Sequence, residues 1–530
     1  MKISDNCRKF ELDGLWDFGY STTCDMPEFD AIAPVPVCAD ALTERLGPDG
    51  YAAFRRKIAI DGMVRLTVTS GLHSRIYWDG RLVGSSVLGY SQEEYDFDAG
   101  ETGEHELVIV TDNIRDDEHS SVFRPFYDFF GYNGIYDKVT IQRLVPGMID
   151  RVEVIPLAAE PGSVELRISA VEPAPETLEI SFDNKKTQIV PFAEKVVMQV
   201  PEWHYWSPDD PHLHQVSVNG CVAEFGIRIL DWQGRRLLLN GKPVKLLGVN
   251  RHEAHPEFGS ATPESLIWND LLAIKRQGFN FIRGSHYPQK EFMLRCADKL
   301  GLLVWEEALG WGNTAEDLTD PLFGDRQEEQ CRKMVRKSFN HPSVICWGFL
   351  NECAGEAETS IPLITRLRDA IKSMDPSRPV TFATCRPAID VCIRLMDIIS
   401  VNTYPDWYDT NAMIFDPEAI GRRFHDIAEL FPEKPLIISE IGCGAIYGDH
   451  SGFRWSEDWA ADYMSTAIRE IRDRDDYSGV SLWQYCDTRT CQTSRHCPGT
   501  PRGFNNKGLV NEYRLPKLAW KALGKVLKEK

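Results

Sequence analysis

The chain has 530 residues, of which 43% are hydrophobic and 26% are charged, the proportions of an ordinary soluble globular protein. One hydrophobic core cannot organise a chain of this length, so we expect two to four domains. The formal net charge of -20 argues against nucleic acid and against an anionic membrane surface as partners, because both would repel an acidic protein.

The targeting and cysteine patterns predict a cytoplasmic protein. Residues 1–8 lack the apolar core of a signal peptide, and no apolar run reaches membrane-spanning length. The 14 cysteines have no framework spacing, so we expect reduced thiols. Cys486, Cys491 and Cys497 cluster, but no CxxC pair accompanies them and we expect no zinc site.

Residues 1–146 show the pattern of an all-β domain. Short alternating runs such as 64–69 are separated by turn pairs such as Asp79-Gly80. Many short strands with frequent turns predict a jelly roll or sandwich. One segment, 123–134, is instead aromatic-rich and contains Asp128; it is either a packed corner or a surface that faces a ligand.

Residues 147–226 form a second, smaller all-β pattern that is punctuated by proline-rich turns such as 173–175, and we expect an immunoglobulin-like sandwich there. From residue 227 onwards strand-like and helical runs alternate. The helical runs include one capped by Thr262 with Pro263 in its first turn, and others at 325–339 and 457–472.

Eight strand-like runs recur between residues 227 and 530. They lie at 246–250, 281–284, 302–305, 344–350, 380–383, 398–402, 436–439 and 480–483. Eight strand–helix repeats in about 300 residues predict a (β/α)₈ barrel, a TIM barrel. The predicted architecture is therefore a jelly roll, an immunoglobulin-like sandwich and a C-terminal barrel.

Two of the predicted strands end in glutamate. The fourth run leads into Asn351-Glu352 and the seventh leads into Glu440. The carboxyl ends of barrel strands carry the chemistry, and a pair of carboxylates is what a glycosidase needs as acid and nucleophile. The alternative is that both are structural carboxylates with satisfied hydrogen bonds.

Other strand ends are also polar or aromatic. His252 and His286 follow the first two strands, Tyr404 follows the sixth and Trp483 ends the eighth. A single histidine at a strand end is more often structural than functional. Because these residues share one end of the barrel with both glutamates, we expect both histidines to line one cleft.

These motifs resemble those of glycoside hydrolase family 2, the group of β-galactosidases, β-mannosidases and β-glucuronidases. The resemblance rests on residues 248–253, 285–288, 351–352 and 439–442 and covers essentially the whole chain. The family's domain order is jelly roll, immunoglobulin-like sandwich and barrel, which matches the order predicted above.

Two further segments are similar to the β-glucuronidase branch of that family. Residues 128–134 resemble its DFFxYxG loop, and residues 505–508 match the NxK motif that binds the uronic acid carboxylate. Lys507 would offer an ammonium group and Asn505 an amide donor. The alternative is that residues 505–508 form a solvated turn.

The segment after the third strand departs from the family pattern. The β-galactosidase branch has a magnesium site with a glutamate and a histidine there, whereas residues 306–311 contain no histidine. We therefore expect no metal and no cofactor. Only residues 310–325 separate this strand from its helix, which predicts an open site.

Two other departures leave open whether the sugar is a glucuronide or a galacturonide. Pro405 follows Tyr404, where glucuronidases often have two adjacent tyrosines. Arg502 lies three residues before Asn505 instead of the usual four, and Arg489 and Arg495 are other candidates for that arginine.

The resemblance implies a retaining exo-acting β-uronidase, with β-glucuronidase favoured and β-galacturonidase possible in addition or instead. Glu440 would be the nucleophile and Glu352 the acid and base, with a raised pKa and the two carboxyls about 5–5.5 Å apart. The expected substrate-binding residues are Asn351, Asn505, Lys507, Asp128, His286, Tyr404 and Trp483. Asn351 would bind the sugar 2-OH and Tyr404 would orient Glu440.

We expect a β-linked uronide or oligosaccharide as substrate, no nucleic acid or membrane partner, and a homo-oligomer. One alternative in the same family is a neutral-sugar β-galactosidase, for which Lys507 would be incidental. Another is a non-catalytic carbohydrate-binding protein, because a fold alone does not prove catalysis.

Overall fold

A computed structural model describes residues 9–42, 49–114, 129–409, 411–490 and 500–529. Within these ranges, antiparallel sheets precede a closed parallel barrel. This arrangement confirms the predicted fold class. No helix in the described ranges is long and apolar enough to cross a membrane.

The N-terminal unit is a jelly roll whose two main sheets have the strand orders β1-β12-β6-β9 and β3-β2-β5-β10-β7-β8. Alternate side chains such as Phe54 and Ile109 are fully buried between the sheets. Its elements are β1 (Phe10–Glu11), β2 (Gly14–Ser21), β3 (Ala31–Val35), β4 (Val37–Cys38), α1 (Ala39–Leu42), β5 (Tyr51–Ile60), β6 (Met63–Thr69), β7 (His73–Trp78), β8 (Arg81–Ser86), β9 (Gln92–Asp98), β10 (Gly103–Asp112), β11 (Gly134–Ile135) and β12 (Thr140–Arg143).

The second unit is a smaller sandwich with the strand orders β13-β14-β17 and β16-β15-β18-β19. Its strands are β13 (Ile149–Pro156), β14 (Ser163–Ala170), β15 (Thr177–Phe182), β16 (Gln188–Pro191), β17 (Lys195–Gln199), β18 (His214–Val218) and β19 (Cys221–Phe225). The predicted domain limits after residues 146 and 226 fall in the connections that precede β13 and follow β19.

A three-stranded sheet then covers the amino-terminal end of the barrel. It consists of β20 (Leu230–Gln233), β21 (Arg236–Leu239) and β22 (Lys242–Pro243). Leu237 and Leu239 belong to the same buried cluster as Phe281 and Ile345 of the barrel strands. Because this end is filled with apolar side chains, the polar residues of the barrel are left to the opposite, carboxyl end.

Eight parallel strands in the described ranges close into the barrel, and the first strand pairs with the last. They are β23 (Leu246–Asn250), β24 (Phe281–Arg283), β25 (Leu303–Ala308), β26 (Val344–Asn351), β27 (Val380–Thr384), β28 (Ile399–Asn402), β29 (Leu436–Ile441) and β30 (Gly479–Leu482). Each corresponds to one predicted run. Both faces of these strands are covered, which explains their near-continuous apolar sequences.

The helices after the jelly roll form the outer layer of the barrel. They are α2 (Glu264–Gln277), α3 (Glu291–Leu300), α4 (Ala315–Thr319), α5 (Pro321–Ser338), α6 (Ile361–Met374), α7 (Pro417–Leu430), α8 (Glu457–Arg472) and α9 (Leu518–Val526). A short antiparallel pair, β31 (Thr488–Arg489) and β32 (Phe504–Asn505), lies beyond the last barrel strand.

Two predicted helix starts are wrong. Pro263 is the N-cap of α2 and lies outside its first turn. The helix predicted at 325–339 begins four residues earlier, because the Asp320 side chain accepts a hydrogen bond from the Leu322 N–H and Pro321 fits the first helical position. The predicted connection after the third strand, residues 310–325, therefore contains α4 and the start of α5, and its irregular part is shorter than the sequence predicts.

The side chain of Asn340, just after α5, joins the barrel to the second sandwich. Its Oδ1 accepts a hydrogen bond from the Val154 N–H at 2.9 Å, and its Nδ2 donates to the Val152 carbonyl at 2.7 Å. Both groups belong to β13, an edge strand of its sheet. Asn340 therefore satisfies backbone groups that a further strand would otherwise pair with.

We predict that Asn340→Ala lowers the free energy of unfolding by about 1–3 kcal/mol, because two partly buried backbone groups lose their partner. Urea unfolding followed by intrinsic fluorescence measures the change. Asn340→Asp keeps the acceptor and loses the donor, so it should fall between the wild type and the alanine variant. An unchanged unfolding midpoint in Asn340→Ala would contradict this role.

Candidate active site

A cavity of about 870 Å³ opens at the carboxyl ends of the barrel strands. Six of the residues singled out from the sequence line it: His286, Glu352, Tyr404, Glu440, Trp483 and Lys507. They come from five different strands and from the segment that follows β32. The barrel thus brings side chains that are far apart in the sequence to one place.

Glu440 lies at the end of β29 and is held by two donors. Its Oε1 accepts a hydrogen bond from Arg283 Nη1 at 2.7 Å, and its Oε2 accepts one from the Tyr404 hydroxyl at 2.5 Å. Burial raises the pKa of Glu440 to about 8. Arg283 and Tyr404 lower that pKa, whereas the charge of Glu352 raises it. The two donors therefore favour the ionised form against the effect of burial.

Arg283 is the central residue of this network, although no sequence pattern predicted a role for it. It is fully buried, and its Nε donates to Glu307 Oε2 at 2.9 Å. Its Nη2 donates to Asn351 Oδ1 at 2.9 Å, and its guanidinium lies 4.5 Å from the centre of the Trp305 ring. The planar guanidinium makes several hydrogen bonds in fixed directions, which a lysine could not reproduce.

Glu352 is half-buried, and its Oε1 accepts a hydrogen bond from Asn402 Nδ2 at 2.9 Å. The Oδ1 of Asn402 accepts in turn from the Ser439 hydroxyl at 2.7 Å, which fixes the orientation of the amide. Leu350 and Glu352 both have left-handed backbone, with φ of 58° and 51°. Such conformations are uncommon for these residue types and cluster at active sites.

Asn351 is fully buried beneath the cavity. Its Oδ1 accepts hydrogen bonds from Arg283 and from Asn402, so its amide is held in one orientation. Its Nδ2 has no hydrogen-bond partner among the described residues. A buried amide donor without an acceptor is costly, so this group is suited to an acceptor that a ligand brings.

His286 and Trp483 stack on each other with ring centroids 5.2 Å apart. His286 Nδ1 lies 2.9 Å from Glu307 Oε1, and its Nε2 lies 3.7 Å from Glu440 Oε1. Burial and the charge of Arg283 hold the pKa of His286 well below its usual range, so the ring is neutral. This pair forms one wall of the cavity beside the nucleophile candidate.

The expectation that His252 also lines the cleft is wrong. The residue is buried and does not reach the cavity. Its Nδ1 lies 3.3 Å from the Tyr287 hydroxyl, and its ring packs edge-on against Trp483. It therefore supports the wall from behind.

Lys507 lines the cavity, with Nζ 5.2 Å from the ring centre of Tyr408 and 5.8 Å from that of Tyr404. Asn505 belongs to β32, is buried, and accepts a hydrogen bond from the Lys507 N–H at 3.2 Å. The NxK segment is therefore tied to the sheet, and the asparagine lies behind the lysine.

Two of the three arginines expected near Lys507, Arg489 and Arg502, are not among the residues that line the cavity. Arg502 forms an ion pair with Glu512 at 2.8 Å. Arg489 lies on the face of the Phe504 ring, 5.5 Å from its centre. Arg495 and Asp128 lie outside the described residues.

Two other arginines, which sequence reasoning missed, do line the cavity. Arg454 donates to the Asp406 carbonyl at 3.1 Å, and its guanidinium lies 4.1 Å from the centre of the Trp407 ring. Arg423, on α7, donates from Nε to Thr403 Oγ1 at 3.0 Å. Neither lies near a strand end in the sequence, so no motif could have identified them.

Glu306 and Glu307, which follow the third predicted strand, lie within β25. Glu307 is bonded to Arg283 and His286, and Glu306 accepts hydrogen bonds from the Gln289 N–H and the Ser338 hydroxyl, both at 3.1 Å. Burial raises the pKa of both glutamates to about 7. The described residues contain no cluster of three or more potential metal ligands. The absence of a catalytic metal stays a prediction.

The arrangement can support nucleophilic and acid–base chemistry. Glu440 is a carboxylate held by a cation and a phenol, and Glu352 is a second carboxylate held by an amide at the edge of the same cavity. The two carboxyl groups therefore have different hydrogen-bond partners within one cavity.

Comparisons of the sequence and of the structure with known proteins lead to the same group of enzymes. Residues 230–526 match the TIM barrel domain of glycosyl hydrolases family 2. A β-glucuronidase from Paenibacillus borealis is 26% identical, with 97% of this chain and 96% of the relative aligned. For the β-glucuronidase of Sus scrofa the identity is 28%, but the chain covers only 66% of that relative's length.

Among solved structures, a β-galacturonidase of glycoside hydrolase family 2 from Eisenbergiella tayi, bound to galacturonate, has a TM-score of 0.89. It is 28% identical, and the alignment covers 99% of this chain and 98% of that one. A β-glucuronidase from Dictyoglomus thermophilum has a TM-score of 0.86 at 24% identity, over 100% of this chain and 98% of that one, which indicates a shared fold.

Proposed function

The chain belongs to glycosyl hydrolase family 2, and we propose that it is a retaining, exo-acting β-uronidase. The observation that carries this proposal is the position of Lys507, which lines the same cavity as Glu352 and Glu440. An ammonium group beside two tyrosine rings suits the carboxylate of a uronic acid. The β-glucuronidases and the β-galacturonidase among its relatives support the same substrate class.

In this mechanism Glu440 attacks the anomeric carbon and forms a glycosyl ester. The attack requires the carboxylate form, which burial disfavours. Arg283 donates a hydrogen bond to one carboxylate oxygen and Tyr404 donates one to the other, and both bonds stabilise that form. As the ester forms, negative charge leaves the carboxylate while positive charge on the sugar ring is quenched.

Glu352 protonates the leaving oxygen in the first step and removes a proton from water in the second. Asn402 orients its carboxyl group throughout. Esterification of Glu440 removes one negative charge from the cavity, which favours the carboxylate form that Glu352 needs as a base. A separation of about 5–5.5 Å between the two carboxyls stays a prediction.

The sugar ring would lie between these carboxyls and the cations of the cavity. Asn351 Nδ2 would donate to the 2-OH, a contact that strengthens in the transition state. Trp483 and His286 would pack against the ring, and Asn505 would hold the segment that presents Lys507. A contact from Asp128 stays a prediction.

Both glucuronides and galacturonides fit this proposal. The arginine expected near the C4 position is directed to Glu512 instead, and a proline follows Tyr404. We propose that these departures make room for an axial C4 hydroxyl, and we expect activity on both sugars with glucuronide preferred.

The proposed location is the cytoplasm. The cysteines that the structure describes are all free thiols, which is typical of a reducing compartment. A homo-oligomeric state stays a prediction, which light scattering coupled to gel filtration would check.

We predict that Glu440→Gln lowers kcat by at least about 10⁴-fold, because an amide cannot form the ester. Glu352→Gln should slow substrates with poor leaving groups most, since activated phenols need little protonation. Rates on a series of aryl β-glucuronides of increasing phenol acidity measure both effects. Wild-type-like turnover in Glu440→Gln would remove this residue from the nucleophile role.

Tyr404→Phe should move the acidic limb of the kcat/KM profile to higher pH by about one unit. The hydroxyl stabilises the ionised Glu440, so its removal raises the pKa of Glu440 further and delays ionisation. Tyr408→Phe is the matched control, because its hydroxyl lines the same cavity without bonding to Glu440. A limb that stays in place or moves to lower pH would refute this assignment.

Lys507→Met should lose about tenfold to over a hundredfold in kcat/KM on a uronide, because a charge-assisted hydrogen bond disappears while the aliphatic length is kept. On the matching neutral hexoside the loss should be small. Lys507→Arg keeps the charge and should retain part of the uronide activity. Equal losses on both sugars would reduce the NxK segment to a structural turn, and a wild-type preference for galactoside would end the uronidase proposal.

A further inference from the structure

Lys517 is a buried lysine that takes no part in the mechanism above. It is the residue before α9, and its Nζ lies 2.7 Å from Oδ1 of the equally buried Asp487. Nζ also donates to the Ala445 carbonyl at 2.8 Å and to the Asn506 carbonyl at 3.0 Å. The three donors of the ammonium group are thus all used by groups of the protein.

The ion pair of Asp487 and Lys517 holds the backbone on both sides of Lys507. Lys517 Nζ donates to the carbonyl of Asn506, the residue before Lys507. Asp487 Oδ1 accepts a hydrogen bond at 2.8 Å from the N–H of Gly508, the residue after it. A Cβ added to Gly508 would lie 2.2 Å from the Asp487 backbone nitrogen, so only a glycine can approach this closely.

The same pair connects the segment of Lys507 to the segment of Glu440. Ala445 follows β29, the strand that carries Glu440, and its N–H donates to the Asn506 carbonyl at 2.9 Å. Lys517 Nζ binds the carbonyls of both segments at once. In the proposed function C1 of the sugar faces Glu440 and the C6 carboxylate faces Lys507. The spacing of the two segments must therefore match the length of one uronic acid.

A contribution to stability is a weak explanation for this pair. Taking two charges out of water offsets most of their attraction, and apolar side chains of similar size often stabilise a core as well. Burial raises the pKa of Asp487 to about 6 although the charge of Lys517 lowers it, and Asp487 Oδ2 has no hydrogen-bond partner among the described residues. An apolar pair, however, could not bind the backbone groups of Ala445, Asn506 and Gly508.

We propose that the buried pair of Asp487 and Lys517 positions Lys507 relative to Glu440, and thereby determines the preference for a uronide over a neutral sugar. Neither member of the pair is among the residues that line the cavity. They are positioning residues, which act on the substrate only through the segment that carries Lys507. This inference rests on the proposed function, because it requires Lys507 to bind the carboxylate of the sugar.

The test compares 4-nitrophenyl β-glucuronide with 4-nitrophenyl β-glucoside, which has a CH₂OH group in place of the carboxylate. The main variant combines Lys517→Met with Asp487→Asn, so that no unpaired charge is left in the core. It should lose about tenfold in kcat/KM on the glucuronide and less than about threefold on the glucoside, because a displaced Lys507 matters only for the charged sugar. Lys517→Gln keeps two donors and should show a smaller loss in the same direction, and it replaces the main variant if that one does not fold.

The same substitutions in the Lys507→Met background give a result that a general loss of stability would not produce. If the pair acts through Lys507, it has little left to affect once that ammonium group is gone. The losses on the glucuronide should therefore be far from additive, and the combined variant should be close to Lys507→Met alone. Additive losses, or equal losses on the two substrates in whichever variant folds, would overturn the proposal.

Asp375 and Arg378 provide the matched control, because they form another buried ion pair, at the amino end of β26, where Arg378 Nε donates to the Val344 carbonyl at 2.7 Å. Arg378→Met combined with Asp375→Asn should lower the melting temperature and leave the ratio of the two rates unchanged.

An equal fall of that ratio in the control would overturn the proposal. If Lys507→Met alone left the ratio unchanged, the uronidase proposal would fail and this inference with it. If Lys507→Met lowered the ratio and the variants of Asp487 and Lys517 did not, only this inference would fail.

Discussion

The buried guanidinium of Arg283 is the constraint on which the site depends. It is fully buried, and it binds Glu307, Glu440 and the Asn351 amide at the same time. A buried cation is tolerated only when carboxylates offset its charge, and buried carboxylates need the cation equally. The network therefore fixes these strand ends relative to one another, and the charge of Arg283 lowers the pKa of Glu440 against the effect of burial.

The loop after β28 is the second element that the site requires. It carries Tyr404, which bonds to Glu440, and Tyr408, which faces Lys507. Arg454 holds this loop from the neighbouring one through a backbone carbonyl and the Trp407 ring. One loop thereby connects Glu440, the proposed nucleophile, to Lys507, the proposed ligand of the sugar carboxylate. A shift in this loop would therefore affect both proposed roles together.

Sequence reasoning found the strands and the two glutamates because a buried apolar run that ends in a carboxylate is a local pattern. It did not identify residues whose positions depend on contacts between distant parts of the chain. Arg283 ends β24, and nothing near it in the sequence shows that residues from four other strands converge on it. Asn402 and Arg423 gain their positions only from barrel closure and helix packing. The same limit explains His252, whose strand end suggested the cavity although the closed barrel puts the side chain behind Trp483.

In the proposed mechanism Glu440 forms a covalent bond with the sugar. A 2-deoxy-2-fluoro-β-glucuronosyl fluoride tests it most directly, because the fluorine slows hydrolysis of the ester more than its formation. Mass spectrometry of the intact protein, followed by peptide mapping, reads the outcome. If Glu440 is the nucleophile, one glycosyl group is added per chain, on the peptide that contains Glu440. A label on Glu352 or on another residue, or steady turnover with no label at all, would contradict it.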